Sequence, residues 1–161
     1  MSRVFWTGLA IVGAVLVQTA LSHLVATPGR YIDPFLLVVV YCALVGGEVH
    51  GMLAGVAAGW VQDALFGGRV LGLSALSKLA IGYAVGSAAG RFLMTGAAAR
   101  ALAVLVAAIA DALLVEWLAS VFSLETRPLG VLGLLTRATI SAVVGGLLFT
   151  LVDRRLQRAA P

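Results

Sequence analysis

The chain has 161 residues, of which 61% are hydrophobic and only 11% charged, and its mean hydropathy is +1.08. A soluble fold of this length has no interior large enough for so much apolar surface, so the solvent must be a bilayer. The net charge of +4 and the pI near 10.0 are assigned to arginines at the cytoplasmic membrane face, which excludes nucleic acid as a partner.

Apolar runs, set against a need for roughly 20 residues per crossing, predict six helices at about 4–26, 34–45, 50–66, 71–90, 101–122 and 129–152. The predicted fold class is therefore an all-α integral membrane protein, a single six-helix transmembrane bundle over 1–161. The first run is too long for the apolar region of a signal peptide and should remain as a membrane helix. Trp6 lies where an aromatic ring anchors at an interface. The second run opens on Asp33-Pro34, a capping carboxylate followed by proline at the first helical position. It is short. It must tilt little, end in protein-lined surroundings, or continue through Gly46-Gly47. Cys42 within it reads as a small buried hydrophobe. Thr27-Pro28-Gly29 and Arg127-Pro128 mark clear turns.

The third and fourth runs carry four-residue ladders, Gly47, Gly51, Gly55, Gly59, Asp63, Gly67 and Ser74, Lys78, Gly82, Gly86, Gly90. Small residues four apart share a helix face and let two backbones approach closely in lipid. Folding the chain back between Gly67 and Ser74 pairs Gly59 with Gly82, Gly55 with Gly86 and Gly51 with Gly90, and sets Asp63 against Lys78. Gly51, Gly55, Gly59, Gly82 and Gly86 are thus the expected packing residues.

Ionisable residues inside the predicted spans are Asp63, Lys78, Asp111, Glu116 and Arg137. Each costs on the order of 2.5–3.5 kcal/mol at a helix centre unless it finds a partner. Matching depths predicts Asp63–Lys78 and Glu116–Arg137 pairs. Asp111 lies deeper; it shares Arg137, is protonated, or faces a polar cavity with Gln18 and His23. Register-fixing ion pairs are the plainer reading, and a proton or substrate path around Asp111 is the sharper one.

Six spans put both termini on one side. With that side cytoplasmic, Arg3, Arg91, Arg100, Arg154, Arg155 and Arg158 are inside, against Arg30, Arg69 and Arg127 outside. His23 and His50 then fall on opposite faces, and the chain has no paired-cysteine or His-x-x-x-His metal spacing. Ser74 and Lys78 form a serine–lysine pair in spacing alone. No catalytic residues, metal site or cofactor are expected. Glu48 and His50 read as solvated loop groups.

With these residues placed, the chain resembles the MreD family of bacterial rod-shape-determining membrane proteins. The likeness rests on Asp33-Pro34, the apolar run 35–44 with Tyr41, and then Gly51, Gly55, Gly59 and Asp63. It continues through Gly67-Gly68 to Gly72, Leu76, Tyr83 and Gly86. The early Gln18 and the arginine-rich tail agree. The resemblance implies a non-enzymatic inner-membrane scaffold of the peptidoglycan elongation complex that binds MreC. Through MreC it would meet RodA, a class B penicillin-binding protein and, indirectly, MreB filaments. It also implies a fold similar to the substrate-binding subunits of energy-coupling-factor transporters, and such a subunit is the alternative function. Arg154, Arg155 and Arg158 are expected to meet anionic lipids.

Overall fold

A computed structural model describes residues 3–24, 32–66, 72–91, 96–122 and 131–159. All regular structure among them is helical: α1 (Arg3–Leu24), α2 (Pro34–Leu65), α3 (Leu73–Arg91), α4 (Ala97–Val121) and α5 (Val131–Ala159).

α2 is the element that departs most from a rod. At Gly47 the backbone leaves helical geometry with φ 80° and ψ −173°, a conformation that glycine adopts without the steric penalty of a Cβ. The two arms, 34–46 and 48–65, fold back against each other. Gln62 Nε2 donates to Asp33 Oδ2 at 3.3 Å, and the Phe35 and Phe66 rings meet edge-on at 5.9 Å. Residues so far apart in sequence would be separated by roughly 40 Å on a straight helix. The second and third predicted helices are therefore the arms of one element joined through a single glycine. Asp33 starts the first arm: its Oδ1 accepts from the amides of Phe35 and Leu36 at 3.0 and 3.2 Å, and Pro34 follows.

The 34–46 arm is the central post. Phe35, Leu36, Val39 and Val40 are fully buried. One face packs with Ile11 and Ala14 of α1 and Ala58 of the other arm. The opposite face packs with Ile81 of α3, Val104, Ala107 and Ala108 of α4, and Ala138 and Phe149 of α5. At about 1.5 Å per residue this arm spans only about 20 Å, less than the roughly 30 Å of hydrocarbon in a bilayer. Surrounding helices cover it, so its length need not match the lipid.

Among the described residues, three helical stretches are long and apolar enough to cross a membrane: Phe5–His23, Pro34–Leu65 and Ala98–Val121. α5 contributes the shorter apolar stretch Ala138–Phe149. α3 is less apolar because it carries Ser77 and Lys78, both buried against its neighbours. Large apolar side chains crowd the outer surface, among them Leu9, Leu16, Leu53, Leu102 and Leu147. Trp6, Trp60 and Trp117 also face outward.

Candidate functional site: a buried aspartate–lysine–aspartate node

Among the described residues α2 and α3 form the tightest seam, and glycine makes it. A methyl group at Gly51 would meet the Gly82 carbonyl, and one at Gly55 would fall on the Lys78 carbonyl. At Gly59 it would strike the Ala75 backbone, and at Gly86 that of Glu48. All five expected packing glycines thus lie in the seam, but in another register. Gly51 faces Gly82 rather than Gly90, and Gly55 faces Lys78 rather than Gly86. α3 is displaced by about eight residues, roughly 12 Å, from the predicted pairing.

Asp63 explains the displacement. Its Oδ2 accepts from the amides of Gly72 and Ser74 at 2.9 and 3.0 Å. These amides lie at the start of α3, where helical N–H groups lack intrahelical acceptors and the dipole favours an anion. Asp63 therefore holds the first turn of α3 beside the last turn of α2. Lys78 lies beyond its level, and the predicted Asp63–Lys78 pair does not form.

Lys78 meets two other carboxylates. Its Nζ donates to Asp33 Oδ2 at 2.8 Å and lies 3.7 Å from Asp111 Oδ1. Asp111 Oδ1 also accepts from Ser77 Oγ at 2.8 Å. The three charged side chains are almost wholly enclosed, at 1%, 2% and 1% exposure for Lys78, Asp33 and Asp111. Each comes from a different element. Asp33 heads α2, Ser77 and Lys78 sit in α3, and Asp111 lies in α4. Opposite charges with further hydrogen bonds are the arrangement in which buried ions are tolerated.

The expected cavity of Gln18, His23 and Asp111 is not assembled. Gln18 is buried, but His23 is exposed, and Asp111 faces Ser77 and Lys78. Five residues on a helix turn the side chain by about 140°, which separates Gln18 from His23. Gln18 Oε1 and Gln62 Oε1 are buried without a hydrogen-bond partner among the described residues. Glu116 is half-buried, while the Arg137 side chain lies outside the described residues, and with it the expected Glu116–Arg137 pair. The predicted turns at Thr27-Pro28-Gly29 and Arg127-Pro128 also lie outside them. Glu48 and His50 are helical rather than loop groups. Glu48 accepts from Ser87 Oγ at 2.9 Å, and His50 Nε2 lies 3.0 Å from Thr7 Oγ1.

Sequence reasoning missed the second role of Asp33. A signal was available: a buried lysine requires a carboxylate within its reach, and Asp33 lies at the same end of the bundle. The capping reading accounted for Asp33 too early. Among the described residues no three His, Cys, Asp or Glu side chains are grouped to hold a metal. The node's chemistry is positional, fixing three helices at one point.

The fold and the node define an all-helical membrane protein in which Asp33, Lys78 and Asp111 are turned inward. The profile of the family described as rod shape-determining protein MreD matches residues 3–152, and the chain belongs to that family. It is thus a bacterial inner-membrane protein involved in determining rod shape. No curated protein and no solved structure matches it.

Proposed function

We propose that the protein is a non-enzymatic scaffold of the peptidoglycan elongation complex that binds MreC within the membrane. In this reading the arms of α2 count as two crossings, so six helical segments span the bilayer and both termini are cytoplasmic. RodA and the class B penicillin-binding protein are reached through MreC, and MreB filaments indirectly. Arginines of the tail rest on anionic lipid.

The observation that carries the reading is the Asp33–Lys78–Asp111 node, which engages the charges of three helices with one another. A conducting path needs groups that exchange partners with a passing ion, whereas a scaffold needs helices held in place. The energy-coupling-factor alternative calls for a ligand cavity bounded by α1 and Asp111. Here Asp111 is engaged by Ser77 and Lys78 instead.

Copurification tests the proposal. Tagged protein extracted in mild detergent should retain MreC, and a chain bearing Lys78→Met, which unlocks the node, should retain less per folded molecule. Folded, membrane-inserted parent protein that never retains MreC would overturn it.

A further inference from the structure

A groove of about 270 Å³ runs between α3 and α4, with no polar surface in its lining. Its walls are largely alanine: Ala84 and Ala88 on α3, and Ala99, Ala103 and Ala110 on α4, with Val106 among them. Alanines leave the gap because their side chains end at Cβ. A gap lined only by apolar side chains suits a flexible hydrocarbon chain, which follows an irregular wall and needs no hydrogen-bond partner there.

Its mouth is basic. Arg91 lies three residues beyond Ala88 and seven beyond Ala84, a spacing that keeps it on the groove-facing side of α3. It is exposed in the last turn of α3, and no hydrogen bond or ion pair of its side chain falls among the described residues. The neighbouring acid, Glu48, is hydrogen-bonded to Ser87 on the flank of α3 that faces α2, away from the groove. Gly86 packs on Glu48, next to the Gly47 reversal. Arg91 therefore sits at the membrane face where α2 turns back.

We propose that this groove holds one acyl chain of an anionic phospholipid whose phosphate is bound by Arg91. The hydrocarbon fills the alanine-lined gap and the guanidinium pairs with the headgroup, in the two-pronged geometry arginine forms with phosphate. The site is separate from the Asp33–Lys78–Asp111 node.

Native mass spectrometry of the full chain tests this, after delipidation and titration with phosphatidylglycerol or phosphatidylcholine of identical chains. The parent should retain one phosphatidylglycerol and prefer it about fivefold, the equivalent of about 1 kcal/mol for one basic residue at an anionic surface. Arg91→Gln should bring the ratio close to one, and Arg91→Lys, which keeps the charge but not the paired geometry, should give an intermediate ratio. Ala103→Phe, which fills the groove, should remove the retained lipid of either kind. If that variant fails to fold, Ala88→Phe on the opposite wall makes the same test. An unchanged preference in Arg91→Gln overturns the proposal, as does a retained lipid in the groove-filling variants. So does a second copy of the chain, or a partner protein, bound in a groove-dependent way in place of lipid.

Discussion

Asp33 performs two tasks with two oxygens. Oδ1 caps the first arm of α2, while Oδ2 accepts from Lys78 and Gln62. Replacing it should therefore cost more than replacing an ordinary cap, for which about 1 kcal/mol is typical. Breaking a buried ion pair from one side costs about 3–5 kcal/mol, because the remaining charge stays buried. Asp111 stays beside Lys78 in such a variant, so Asp33→Ala should lower thermal stability in detergent by more than a cap alone but by no more than that amount. Asp33→Asn with Lys78→Met and Asp111→Asn should recover part of the loss, since no charge of the node is then stranded. Asp63→Ala should cost only about the value of a cap, and in a double-mutant cycle it should show no coupling to Lys78 beyond about 0.5 kcal/mol. A large Asp63–Lys78 coupling would contradict the geometry. At this scale the sequence disclosed that Lys78 needed a carboxylate, and it disclosed the capping role of Asp33. It could not select the partner, because Asp33, Asp63 and Asp111 all lie on acceptable levels.

Between elements, the glycine ladder shows why pattern identifies an interface but not its register. A ladder with four-residue steps is nearly unchanged when one helix slides by eight residues, so either setting puts small residues in the seam. Hydrogen bonds from Asp63 to the Gly72 and Ser74 amides favour one setting, and ladder arithmetic contains no such term. The observed register makes separable predictions. Gly55→Ala and Gly82→Ala put a methyl group onto facing backbone, which cannot yield as a side-chain tip can, and each should cost at least the 1–3 kcal/mol typical of overpacking. Gly90→Ala meets open space and should be neutral or slightly stabilising, although the predicted pairing put Gly90 in the seam. Gly47→Ala also meets no neighbour, but its φ of 80° with ψ of −173° is unfavourable to any Cβ, and the loss should be about 1–3 kcal/mol. Thermal melts of the four variants separate close packing from backbone conformation.

At the level of the whole molecule, composition alone fixed the class: a helical protein whose solvent is lipid. Which helix ends lie together was legible too. Contacts of Thr7 with His50 and of Glu48 with Ser87 put the N-terminal end of α1, the Gly47 reversal and the end of α3 on one face. The contacts of Asp33 with Gln62 and of Asp63 with Gly72 lie on the other. Cysteine labelling in a Cys42→Ala background should find Glu48→Cys and Gly96→Cys reactive from the same side, and Ile32→Cys and Phe122→Cys from the opposite side. The nearly absent connection between the arms of α2 was not legible, since a Gly-Gly pair suits both a loop and a sharp reversal. The covering of the short 34–46 arm was legible only as one of three alternatives, since it follows from tertiary contacts rather than from its own composition.

That enclosed arm bears on how the protein is made. Leu36, Leu37 and Val40 find their partners mainly in α4 and α5, which leave the ribosome after α1, α2 and α3. The second carboxylate beside Lys78 also arrives only with α4. During synthesis, then, the early helices must wait in the membrane with one flank of the post uncovered and the lysine held by Asp33. A chain cut at Gly96 would be arrested at that stage, and pulse-chase labelling should show it turning over many times faster than the intact product.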